Sequence, residues 1–264
     1  MKQSILSNSM GNQIQKTDKN EIITSTGKSP LDKLNNLNSG LSAALSKMEL
    51  PRQFSQLVLF VLDGSNSMTW DGASGFSKGQ EIHQSVVKVL ERLQSSKNKA
   101  SFDVGFWAFA NESKEMYPVK QLKDYNLVKD CFNPCEYISD GGATYLAETF
   151  QSVEKVVNDY LDEHKELNRK VLIILLSDGE LHDYQEVIEM KSKFQSELVV
   201  FSSIFFESLD WGDNYDDWEI DEIKENLSNL ASEEAYFLST VDAEQIRKHM
   251  IQSVTKISNV LKIS

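Results

Sequence analysis

Three short segments hold the residues whose types and spacing could do chemistry. Asp63-Gly64-Ser65-Asn66-Ser67 follows the apolar run 57–62, Asp140-Gly141-Gly142-Ala143-Thr144 precedes an amphipathic stretch, and Ser177-Asp178-Gly179-Glu180 follows KVLIILL. The first segment alone admits a serine nucleophile, a phosphate cradle or a metal site. A nucleophilic serine needs a histidine to take its proton. Of the 4 histidines (His83, His164, His182 and His249), only His182 falls near the end of a strand-like run, and no GxSxG elbow is present. A phosphate cradle needs a glycine-rich loop with a lysine, or a helix start free of carboxylates. The sequence contains neither GxxxxGKS/T nor GxGxxG, and Asp63 would repel the anion.

The metal reading fits the spacing better. A small hard cation such as Mg²⁺ (or Mn²⁺) takes six oxygens at short range, keeps waters readily and is held by only one or two carboxylates. One tight turn can aim Asp63, Ser65 and Ser67 at a single point. Thr144 can add a hydroxyl from the second loop, Gly141 and Gly142 let that backbone come close, and Asp178 adds a second carboxylate. For one segment alone, Asx-type hydrogen bonds that close a loop would be explanation enough; three segments together point to a metal.

Such a site needs elements that bring the segments to one edge. Apolar runs at 57–62, 102–110, 170–176 and 198–206 read as strands, with a second short strand at 114–119 after the Asn111-Glu112 turn and another at 235–238. Helical periodicity covers 80–93, 144–160, 184–194, 221–231 and 243–261. The alternation predicts an α/β fold: a doubly wound, mostly parallel central sheet with helices on both faces and one short antiparallel strand. In such sheets ligands bind outside the carboxyl ends of the strands, where all three segments fall. Phe106-Trp107-Ala108-Phe109 reads as buried strand and not as a stacking platform for single-stranded nucleic acid.

Residues 1–30 are rich in Asn, Ser, Gln, Lys and Thr without a period and read as a flexible polar leader. In 31–50, Leu31, Leu34, Leu37, Leu41, Leu45 and Met48 recur at spacings of three and four, an amphipathic helical segment expected to pack on the domain at 52–264, with a partner protein as the alternative. The chain of 264 residues has 27 basic against 40 acidic side chains, a net charge of −13, which disfavours nucleic acid and anionic membranes as partners. It shows no signal peptide and no apolar stretch near the roughly 18 residues of a membrane span, so a cytoplasmic location is expected. Cys131 and Cys135 cannot complete a zinc site and read as ordinary thiols.

These residues resemble the von Willebrand factor A family, whose metal-ion-dependent adhesion site combines D-x-S-x-S after the first strand with a distant Thr and a distant Asp. The match is Asp63, Ser65 and Ser67, then Thr144 in GGATYL, then Asp178 in LLSDGE, and it covers roughly 52–264. LPRQFSQLVLFVLDGSNSM and GGATYLAETF are most similar to the bacterial intracellular branch, including tellurite-resistance-type members. The resemblance implies a Rossmann-like fold and a binding module rather than an enzyme, in which an Asp or Glu of a partner protein completes the metal shell, within a bacterial stress or metal-resistance system. The alternatives are a metal-dependent phosphoesterase and a structural subunit with a vestigial site.

One segment goes beyond the family pattern. ESLDWGDNYDDWEIDE, residues 207–222, holds eight acidic side chains and no basic one. As a loop after a strand it would lie on the rim of the site, with Asp210, Trp211, Asp213, Tyr215, Asp216, Asp217 and Trp218 as candidate partner-binding residues or as a source of an internal metal ligand. A solvated acidic loop is the plain alternative.

Overall fold

The computed structural model describes residues 37–39, 52, 54–195, 197–209 and 215–263. Its contacts divide the chain into Met1–Met48 and Glu49–Ser264. In the first unit, 37–39 form a helical turn with exposed side chains; the rest of the predicted leader and of the 31–50 segment lies outside the described residues.

The second unit is built on one six-stranded sheet in the order β3-β2-β1-β4-β5-β6. The strands are β1 (Ser55–Asp63), β2 (Phe102–Phe109), β3 (Ser113–Gln121), β4 (Arg169–Ser177), β5 (Val199–Phe206) and β6 (Phe237–Thr240). Every neighbouring pair is parallel except β2 with β3. The single antiparallel strand sits at an edge, where Pro118 costs no ladder hydrogen bond.

The continuous apolar runs become strands buried on both faces. Val58, Phe60 and Leu62 of β1, with Leu172, Ile174 and Leu176 of β4, face one core layer. Leu57, Leu59 and Val61, with Val171, Ile173 and Leu175, face the other. The first layer is closed by α1 (Lys78–Gln94) and α5 (Ala243–Ile263), the second by α2 (Ala147–Glu163), α3 (Tyr184–Lys191) and α4 (Asp217–Leu230). On α5, Ile246, Met250, Val254, Ile257 and Leu261 form the apolar stripe that covers the sheet, as its period predicts. Phe106, Trp107 and Phe109 are all buried within β2, so the aromatic run is core. Cys131 and Cys135 are unpaired, and burial pushes the Cys135 thiol up to about 12, leaving it little thiolate at neutral pH. Among the described residues no helix is long and apolar enough to cross a membrane.

Several boundaries differ from the periodicity. The second helix starts at Ala147, not Thr144, which leaves Thr144 in the loop before it. The fourth starts at Asp217, not Asp221, because Asp216 and Glu219 form a reciprocal capping box. The last six residues of the expected acidic loop, 217–222, are therefore helix, with Ile223, Leu227 and Leu230 of that helix buried. The first helix starts at Lys78, not Gln80, through the capping box of Ser77 and Gln80. β6 is shifted two residues, to Phe237–Thr240.

The strand order reverses direction between β1 and β4: the chain leaves β1 towards β2 and later returns to the other side of β1 as β4. Leu62 pairs with Leu176, so the carboxyl ends Asp63 and Ser177-Asp178 open into the crevice at this switch point.

Candidate metal centre

At the crevice, four of the predicted residues are joined by hydrogen bonds. Asp63 Oδ1 accepts from the Ser65 backbone N–H at 2.8 Å, which closes the turn and turns the following serines inward. Ser65 Oγ and Ser67 Oγ lie 2.9 Å apart, and Ser67 Oγ donates to Asp178 Oδ1 at 2.7 Å. A one-turn 3-10 helix at Asn66–Thr69 holds Ser67 in this position and buries Met68 beneath it. Asp63, Ser65 and Asp178 are all buried.

Thr144 is also buried, in the loop before α2. The Asn66 N–H donates to Gly141 O at 2.9 Å, tying the two loops together. His182 brackets Thr144: its backbone N–H donates to Thr144 O at 2.9 Å, and its Nδ1 accepts from Thr144 N at 3.3 Å. Asp183 accepts N–H groups from Leu146 and Ala147 and so caps α2. From the β2–β3 turn, Asn111 Nδ2 donates to Asp140 Oδ2 and Glu112 accepts from Ser139, bonds that hold the Glu112 carboxyl down at about 2.

Two further side chains belong to the site. Ser177 Oγ donates to Asp63 Oδ2 at 2.6 Å. Lys78, with a relative exposure of 1%, places Nζ 2.7 Å from Asp178 Oδ2 and 2.7 Å from Ser208 Oγ. The sequence pattern assigns Ser177 no role and does not single out Lys78. The signal for Lys78 was the S-x-x-Q capping box at 77–80, which makes it the first residue of a helix that starts beside the crevice.

Part of the expected rim falls among the described residues. Asp210, Trp211 and Asp213 lie outside the described residues. Asp216 and Asp217 serve the start of α4, and Asp216 Oδ2 also accepts from Trp218 Nε1 at 3.2 Å. Tyr215 and Trp218 line a small hollow with Glu180, two residues beyond Asp178. Among the described residues no carboxylate of 215–222 is bonded to the site; the contact from β5's trailing loop is the Ser208 hydroxyl on Lys78.

The donor set fits a hard divalent cation. It consists of carboxylate and hydroxyl oxygens only, and no described group of three or more His, Cys, Asp or Glu offers a rival site. Burial, and then the Asp178 charge, pushes the Asp63 carboxyl up to about 7. Two buried carboxylates that repel each other are a place where a cation relieves strain. Without a cation, the raised Asp63 binds its proton more tightly folded than unfolded, so its contribution to stability declines as the pH climbs from about 4 through 7. Asp63→Asn is expected to flatten that decline, stabilise the metal-free protein at pH 8 by about 1–3 kcal/mol, and abolish any Mg²⁺-dependent rise in Tm. Thermal melts in EDTA and in Mg²⁺ across pH 5–8 check all three.

A six-stranded sheet of this order, mostly parallel with one antiparallel edge strand and with helices on both faces, defines a Rossmann-like α/β class of domain. Residues 58–252 match the family model of the von Willebrand factor type A domain, and the chain belongs to that family. No curated protein sequence matches it significantly. Solved structures share the fold at low identity. The PilB minor pilin of Streptococcus sanguinis matches with TM-score 0.59 and 14% identity over 80% of this chain and 63% of its own. Proximal thread matrix protein 1 from the mussel byssus, with a zinc-occupied MIDAS motif, matches with TM-score 0.53 and 19% identity over 77% and 46%. BatB from Bacteroides thetaiotaomicron matches with TM-score 0.51 and 16% identity over 78% and 100%. The chain thus spans less than two thirds of PilB and less than half of the byssus protein.

Proposed function

We propose that residues 52–264 form a divalent-cation-dependent protein-interaction module. Ser65, Ser67 and Thr144 would hold Mg²⁺ or Mn²⁺ with Asp63 and Asp178, and a partner's Asp or Glu would complete the shell. The observation that carries this reading is the chain of hydrogen bonds at the sheet's switch point that links Asp63, through the Ser65 N–H and then Ser65 Oγ and Ser67 Oγ, to Asp178. Neutral hydroxyls bind the cation without cancelling its charge, which leaves it able to attract a further carboxylate.

Exposed aromatics around the crevice support a protein partner. Trp70 follows the DGSNS turn, Phe76 precedes α1, Tyr145 adjoins Thr144, and Tyr215 and Trp218 flank the start of α4; all are exposed. Large rigid aromatics of this kind anchor interfaces. The lead-in to β1 and the GGATYLAETF segment are the grounds for placing the protein on the intracellular bacterial branch, in a stress or metal-resistance system.

The experiment is a pull-down from bacterial lysate with and without EDTA, repeated with Ser65→Ala plus Ser67→Ala. A partner lost in both controls supports the reading, and the Trp70→Ala plus Trp218→Ala variant should weaken its capture by tenfold or more. An empty list sinks it. One observation favours a second reading, a structural subunit whose site takes no metal: an ammonium already lies on Asp178. Calorimetry at millimolar Mg²⁺ and Mn²⁺ with no heat of binding would establish that reading.

A further inference from the structure

Lys78 is out of place by ordinary rules. A lysine at the first position of a helix meets the positive end of the helix dipole, and a buried ammonium loses its hydration. Lys78 is nonetheless almost wholly buried, and its position is fixed by Asp178 Oδ2 and Ser208 Oγ at 2.7 Å each and by the Phe206 ring at 5.7 Å. The two oxygens of Asp178 are divided: Oδ1 accepts from Ser67 on the candidate metal side, and Oδ2 takes the ammonium. Lys78 therefore does not fill the position bounded by the serines. It stands behind the carboxylate.

We propose that Lys78 is a built-in counter-cation that sets the charge of the site, weakening its hold on the divalent ion and strengthening the loaded site's hold on a carboxylate. The inference rests on the metal reading above. Two carboxylates and one ammonium carry one net negative charge; a bound divalent cation turns this into one net positive charge. Without Lys78 the same site would bind the cation with two negative charges and end neutral, a poorer receptor for an incoming Asp or Glu. In a buried site these charges are weakly screened, so one unit changes affinity substantially. The Ser208 contact adds a positional consequence. Lys78 ties Asp178, just past the end of β4, to Ser208, two residues past the end of β5, so the receptor charge is anchored to both strand ends.

The test uses the full chain and two substitutions: Lys78→Met, which removes the charge and keeps the length, and Lys78→Gln, which also keeps a hydrogen-bond donor for Asp178 and so guards against simple misfolding. Mn²⁺ affinity is measured by calorimetry, and acetate uptake by the Mn²⁺-loaded protein is followed by water-proton relaxation. Both variants are expected to bind Mn²⁺ roughly tenfold tighter or more, and to take up acetate severalfold more weakly than wild type. Binding by the variants with none by wild type also supports the inference, as the extreme case of the same competition. Wild type and variants that bind Mn²⁺ equally overturn it while leaving the metal reading in place, as does acetate uptake no better in wild type than in the variants. Absence of Mn²⁺ binding in all three overturns the metal reading and the inference together.

Discussion

Asp178→Ala is expected to destabilise the metal-free protein by about 3–5 kcal/mol, far more than loss of a surface carboxylate, because it strands the Lys78 ammonium in the interior. The pair is 2.7 Å apart with side-chain exposures of 1% and 0%, so little solvent is at hand to take over when the carboxylate goes. Ser208 Oγ remains as a partner for Nζ, but a hydroxyl does not neutralise a charge. Two smaller effects oppose each other: Ser67 Oγ loses its acceptor, and Asp63 is freed of the repulsion that helps to raise it. Adding Lys78→Met to Asp178→Ala should recover about 2 kcal/mol of the loss, since an apolar pair is better tolerated in the interior than a single unpaired charge. Urea unfolding in EDTA measures the four corners of this cycle. A loss under about 1 kcal/mol for Asp178→Ala would mean that Lys78 escapes to water and that its burial is not enforced by the fold.

The legibility of this site in the sequence was uneven for identifiable reasons. Burial on both faces leaves a continuous apolar run, so 57–62 and 170–176 read as central strands, and their carboxyl ends Asp63 and Asp178 as neighbours at a crevice. Ligand spacing within one turn is local and equally readable, as in Asp63, Ser65 and Ser67. Lys78 is different. Nothing in the types around it distinguishes a buried ammonium from a solvated one; its meaning depends on Asp178, which is 100 residues away in sequence. The acidic run at 207–222 misled in the opposite direction. Its charges suggested one long loop, yet Asp216 and Glu219 are three apart just before Ile220, Ile223 and Leu227, a helix-start signature hidden inside the charge run. His182, Asp183, Asn111 and Glu112 were likewise unreadable as supports, because each acts on a loop brought near only by the sheet.

Gly141→Ala is the substitution expected to separate the two halves of the site without touching a ligand. A Cβ at position 141 would lie 2.7 Å from Asn66 Oδ1 and 2.8 Å from Asn66 N. The second contact decides the outcome. A side-chain oxygen can rotate away, but the Asn66 backbone N is fixed within the turn that aims Ser65 and Ser67, and it donates to Gly141 O at 2.9 Å. The loop that carries Thr144 must therefore retreat from the serine turn, and a shift of about 1 Å is more than a short-bonded oxygen cage for Mg²⁺ tolerates. Mg²⁺ or Mn²⁺ affinity should fall tenfold or more, with a stability cost of only about 1–3 kcal/mol, since α2 keeps its cap from Asp183. Asn66→Ala removes Oδ1 but not N, so it should rescue little. Gly179→Ala is the control: a Cβ there would meet nothing within 4 Å, although Asp178 is the preceding residue. Calorimetry on the three variants decides the matter. If Gly141→Ala binds the cation as tightly as wild type, Thr144 lies outside the metal shell, and the site is held by the serine turn and Asp178 alone.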